Sequence, residues 1–97
     1  MFNSLSEGDK NDFMGVLVPK LRNTFATGIL FLMCKSSKNS DMNYNFEWTT
    51  PSGQVQKSNT FFKNRMYLSD SGRYVCKMTR KSDGAVAEGY TIVTVDG

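Results

Sequence analysis

The chain contains no histidine, the residue most used as a general base near neutral pH and the commonest metal ligand. It has two cysteines, Cys34 and Cys76, too few for a four-ligand zinc site, so no metal is expected and pairing or burial is the expectation for both. The acids Asp41, Glu47, Asp70, Asp83 and Glu88 are scattered, with no paired carboxylate and no Ser/His or Cys/His arrangement beside them. That distribution argues against an enzyme and leaves no catalytic residue to name. The glycines are dispersed, read as turn glycines, and build no phosphate-cradling loop, so no cofactor is expected. Asn-x-Ser/Thr is missing, and no N-linked glycan is expected. The longest apolar run, Ile29-Leu30-Phe31-Leu32-Met33-Cys34, is far shorter than the roughly 20 residues that cross a bilayer. The first residues also lack the basic-then-apolar pattern of a secretory leader. Direct membrane insertion by this chain is therefore not expected.

What is present suffices for one packed domain. The 97 residues are 39% hydrophobic and 12% aromatic, with 22% charged for a soluble surface. A net charge of +3 biases encounters toward acidic partners without implying nucleic acid. Residues 1–12 are polar and rich in turn formers, and read as a tail or linker, with the domain proper over 13–97.

Period-two alternation runs through the rest. Residues 13–18 form a first short apolar segment, which Pro19 limits to an edge strand or one that changes course. Over 28–35, Leu30, Leu32 and Cys34 share one face, and Ile29, Phe31 and Met33 share the other. Tyr44, Phe46 and Trp48 alternate over 44–49, and Pro51-Ser52-Gly53 ends that strand in a turn. Residues 54–57 read as a short connecting strand, and 58–67 as an extended segment anchored by Phe61, Phe62 and Met66. Residues 73–80 place Tyr74, Cys76 and Met78 on one side and Arg73, Val75, Lys77 and Thr79 on the other. Lys81-Ser82-Asp83-Gly84 is a hairpin signal leading to a last strand over 85–95. Short strands punctuated by turns, without helical periodicity or internal repeats, predict an all-β antiparallel sandwich of seven to eight strands with Greek-key connections.

One spacing narrows this further: Cys34, then Trp48, then Asp70-Ser71-Gly72-Arg73-Tyr74-Val75-Cys76. Over residues 13–97 the chain resembles the immunoglobulin superfamily, of the I-set or C2-like kind. In that family a disulfide joins the second and sixth strands across two sheets. A Trp on the third strand packs on it, and a Tyr two residues before the second Cys forms a tyrosine corner. The resemblance thus implies a Cys34–Cys76 disulfide, worth about 2–4 kcal/mol, in a framework with Trp48, Tyr74, Leu32 and Asp70. Asp70 would cap the turn before Tyr74. The inward parity of both cysteines suits two stacked sheets. The short stretch between Trp48 and Asp70 leaves little room for the two extra strands of a variable-type domain. In the fifth strand Lys63 falls where a core residue is usual, which predicts a bulge or shifted register that buries Phe62 instead.

Two surface features are candidate partner contacts. Arg73, Lys77 and Lys81, with Arg80 close by, form a basic stripe suited to an acidic protein or glycan, or else an ordinary solvated face. Ile29, Phe31 and Met33 form an apolar outer face, which is either a contact surface or is covered by the N-terminal segment or a neighbouring domain. The resemblance implies an extracellular recognition module of an adhesion molecule, receptor ectodomain or secreted matrix protein, with a protein partner bound homophilically or heterophilically. Its loops over 35–43 and 81–84 would lie at one end of the sandwich. The alternative is an intracellular domain of a cytoskeletal or muscle scaffold protein, with both cysteines reduced.

Overall fold

Nine strand segments emerge from these alternations in a computed structural model, which describes residues 16–37 and 41–97, and only the backbone of Asp41. They are β1 (Val16–Leu17), β2 (Leu21–Phe25), β3 (Leu30–Met33), β4 (Lys35–Ser36), β5 (Tyr44–Thr49), β6 (Val55–Gln56), β7 (Thr60–Lys63), β8 (Gly72–Arg80) and β9 (Val86–Asp96). Cys34 separates β3 from β4 in one extended run, so the two count as a single strand. The tail expected over 1–12, and residues 13–15 of the first apolar segment, lie outside the described residues.

Two layers result. β1 pairs with β4, and β3 with β7, all antiparallel, giving a three-stranded layer. The second layer is a five-stranded sheet in the order β2-β9-β8-β5-β6. Between them lies one apolar core, with Leu30, Leu32 and Phe61 from the first layer against Trp48, Tyr74, Met78, Val93 and Val95 from the second. All of these residues have the inward parity of their strands, as a two-sided pleat requires.

One pairing departs from the antiparallel expectation: β2 runs parallel to β9, with Leu21 beside Ile92 and Phe25 beside Asp96. The cause lies at Pro19, where the first strand leaves the three-stranded layer and crosses to the other sheet. The buried Thr91 hydroxyl donates to Pro19 O at 2.6 Å, and the Ile92 amide donates to Lys20 O at 3.2 Å, which ties the crossover to β9. Gly89 is no turn glycine. It sits within β9, and a Cβ there would lie 3.1 Å from Val16 Cγ1 and 3.3 Å from Val18 Cγ2, so its missing side chain makes room for β1.

The fifth strand also differs from expectation. β7 is regular, with Phe61 opposite Leu32 and Phe62 opposite Phe31, and it is Phe61 that is buried while Phe62 faces out. No shift is needed, because Lys63 has the inward parity only at the end of the strand. Its aliphatic stem stays half-buried and its ammonium reaches the Asp70 carboxylate at 3.2 Å.

Candidate functional site

The geometry begins with the pin between the layers. Cys34 and Cys76 form a disulfide with their Cα atoms 6.5 Å apart. Trp48 lies directly opposite Cys76 in the β5–β8 ladder and is fully buried. The Asn59 carbonyl, just before β7, accepts the Cys34 amide at 2.8 Å and the Trp48 Nε1–H at 3.1 Å. One backbone oxygen thus joins both layers beside the disulfide. Such a bond satisfies the indole N–H, which would otherwise be costly to bury.

At the other end of β8, the Tyr74 hydroxyl donates to Asp70 O at 2.7 Å, and its ring packs edge-on against Phe61 with centroids 5.4 Å apart. Burial, and then the nearby Asp70 carboxylate, push the Tyr74 hydroxyl up to about 12. The Asp70 carboxylate itself accepts the Tyr67 amide at 2.7 Å and meets Lys63, whose ammonium also lies 5.5 Å from the Tyr67 ring centroid. These residues hold the frame. Being buried or tied to one another, they do not form a surface for a partner.

The outer side of the three-stranded layer is apolar and exposed. Phe31 and Phe62 face each other across the β3–β7 ladder, each 51% exposed, with Ile29 and Met33 flanking Phe31 and also exposed. Lys35 shares the outward parity, and Arg65 is exposed just past β7. Neither Asp nor Glu occurs in residues 16–37 or 54–67, which supply this layer and its nearest turns.

The outer side of the five-stranded sheet is different. Arg73 and Lys77 point outward from β8 as their parity requires, yet they do not make an uninterrupted basic stripe with Lys81. Arg73 stacks on the Tyr90 ring at 4.6 Å. Lys77 lies opposite Glu47 on β5 and Glu88 on β9. Arg80 is held by a two-pronged ion pair with Asp83, which keeps the Asp83 carboxyl down at about 2, and Lys81 is exposed in the turn beyond. Neighbouring strands supplied the opposite charges that a single strand does not reveal.

No protein-family model matches the chain, and no curated protein sequence matches it. Solved structures do. The Ig-like domain of human leucine-rich repeat-containing protein 4 superposes with a TM-score of 0.60 at 20% identity, over 95% of this chain and 96% of that one. An amphioxus IgVJ-C2 molecule superposes with a TM-score of 0.66 at 18% identity, over 84% of this chain and 42% of that one. This chain has the immunoglobulin fold.

Within that fold, β6 belongs to the sheet of β5 and β8, and among the described residues no strand lies between β7 and the short 3-10 turn Leu68–Asp70. The immunoglobulin sandwich here is therefore three strands against five. At one end the Lys81 amide donates to Asn43 O at 2.9 Å, which brings the hairpin beside the end of the 35–43 loop. Residues 38–40 of that loop lie outside the described residues. Sequence reasoning missed Phe62 as a surface residue. The adjacent pair Phe61-Phe62 was the available signal, since strand alternation sends one of two neighbours outward. It also missed β2 altogether, because Leu21 and Phe25 point outward on an edge strand and leave no inward apolar pattern.

Proposed function

We propose that this immunoglobulin domain is an extracellular protein-recognition module of an adhesion molecule, receptor ectodomain or secreted matrix protein. The partner docks on the outer face of the three-stranded layer. The observation that carries this is the exposed Phe31–Phe62 pair flanked by Ile29 and Met33. Exposed apolar clusters of this kind mark contact surfaces, and aromatic side chains at their centre supply most of the binding energy. The disulfide supports the compartment, since such bonds persist in oxidising surroundings and are rare in the cytosol. An interaction role is the common use of immunoglobulin domains.

Two measurements test the reading. Beads coated with the domain should adhere to cells that express the parent protein's natural partners, and Phe31→Glu should abolish adhesion while Ser82→Glu, in the end hairpin, leaves it unchanged. The reverse pattern moves the contact to the loops and overturns the face assignment. Thiol titration of denatured material from its native compartment should find no free thiol; two free thiols would sink the extracellular setting.

A further inference from the structure

We infer that Met33 is a modification site: hydrogen peroxide and related two-electron peroxides oxidise its thioether to the sulfoxide and so turn the recognition face from apolar to polar. The inference rests on the reading of the Phe31–Phe62 face as the recognition surface, and it adds a means of regulating that surface.

The fold narrows the sulfur chemistry to the thioethers. Both cysteines are paired in the buried Cys34–Cys76 disulfide, so no free thiol consumes the oxidant. Of the methionines, Met33, Met42, Met66 and Met78 are among the described residues, and they fall into two pairs. Met66 and Met78 are wholly buried in the core, whereas Met33 is 45% and Met42 79% exposed. A peroxide meets the exposed pair directly and reaches the buried pair only when the core opens.

The two exposed methionines differ in their place. Met42 lies in the 3-10 turn Asp41–Asn43 that leads into β5 of the five-stranded sheet. Met33 ends β3, opposite Thr60, and the Phe31–Phe62 pair is the next outward pair along the same ladder. Because Leu32 and Cys34 turn inward, Met33 shares the outer side with Ile29 and Phe31 and brings to it a sulfur that peroxide can reach.

The step balances with peroxide alone. The sulfur lone pair attacks one peroxide oxygen, and an S–O bond forms as the O–O bond breaks. The proton on the transferred oxygen passes to the departing hydroxide, which leaves as water. Sulfur loses two electrons and the peroxide gains them. The product carries a strong acceptor oxygen where a partner would cover apolar surface, and an acceptor covered without a donor weakens the contact. The change sits outside the core, so the frame stays folded.

The test treats the disulfide-bonded domain with excess hydrogen peroxide at neutral pH and follows each methionine by peptide mass. Met33 and Met42 should each gain one oxygen, with Met66 and Met78 at least about tenfold slower. The melting temperature should hold. Bead adhesion to cells should then fall at least about tenfold, as one unpaired polar group in a contact requires. Met33→Leu should keep its adhesion after the same treatment, and Met42→Leu should lose it like the wild type. Met33→Gln, polar and of similar length, should lower adhesion without oxidant. The two methionine sulfoxide reductases, one for each sulfoxide epimer, should restore the treated wild type. Met33 oxidising no faster than Met66, full adhesion with Met33 fully oxidised, or a Met33→Leu chain as sensitive as the wild type would each overturn the inference. If Phe31→Glu abolishes adhesion while oxidised Met33 leaves it intact, only the modification switch fails. If Phe31→Glu leaves adhesion unchanged, the recognition reading fails and the switch with it.

Discussion

β8 and β9 run nine and eleven residues in the five-stranded sheet, whereas β3 and β7 run four residues each on the facing layer. Both layers bury residues in one core, but they are held by different means. The long ladder is continuous from Gly72 to Thr79 against β9 and from Tyr44 to Thr49 against β8. The short layer depends on the disulfide, on the Asn59 carbonyl and on the Lys63–Asp70 pair at its end. The difference teaches that one layer sets the stability of the domain, while the other, held from within, is left to display an apolar outer side.

The largest expected effect tests the contrast between the inside and outside of this short layer. Trp48→Ala should cost about 3–5 kcal/mol by urea unfolding, through cavity formation at a fully buried site. Phe31→Ala, on the outer side, should stay within about 0.5 kcal/mol. Equal losses would break the distinction between frame and display surface. Next, removing the pin with Cys34→Ala and Cys76→Ala together should cost about 2–4 kcal/mol. Hydrogen exchange should then accelerate first in the β3–β7 amides, ahead of those of β8 and β9.

Tyr74→Phe should cost about 1 kcal/mol by losing the bond to Asp70 O. The variant also sharpens the account of alkaline stability. The Tyr74 hydroxyl is raised from 10.0 to about 12 in the folded chain, so its neutral form is favoured by folding. That contribution is complete below pH 10 and is lost as pH rises toward 12, and the Tyr74→Phe curve should be flatter across that window. A smaller gain is expected from Thr27→Gly in the turn between β2 and β3. Thr27 has φ 66, a left-handed conformation that a β-branched residue tolerates poorly, and glycine there should stabilise by at most about 1 kcal/mol. The smallest effect belongs to the exposed hairpin. Asp83 is lowered from 3.8 to about 2 by its bond from Arg80, so its contribution is present above pH 3.8 and is lost as pH falls toward 2. Asp83→Asn should remove that slight acid dependence in a pH series of melting temperatures.

Much of the frame was legible because its signals are local. Cys34, Trp48, Tyr74 and Cys76 each sit on an inward parity that alternation alone reveals, and the turn residues 69–72 mark where β8 starts. Lys63 and Phe62 were misjudged because a strand's alternation says which residues share a side, while the partner strand and the sandwich end decide how deep each lies. The basic stripe of Arg73, Lys77 and Lys81 was read along one strand. Its interruption by Glu47, Glu88 and Tyr90 arises across strands.

The amino-acid order by itself therefore determined the strand alternation and the all-β sandwich, since these depend on neighbours one or two residues apart, while the cysteine–tryptophan–tyrosine framework was what the resemblance to immunoglobulin domains implied. Tertiary structure alone decided that β2 crosses to run parallel with β9, that Phe62 joins Phe31 at the surface, and that Glu47 and Glu88 come to flank Lys77. Those outcomes depend on which distant strands become hydrogen-bonded neighbours, and strand pairing brings together residues that no short-range pattern connects.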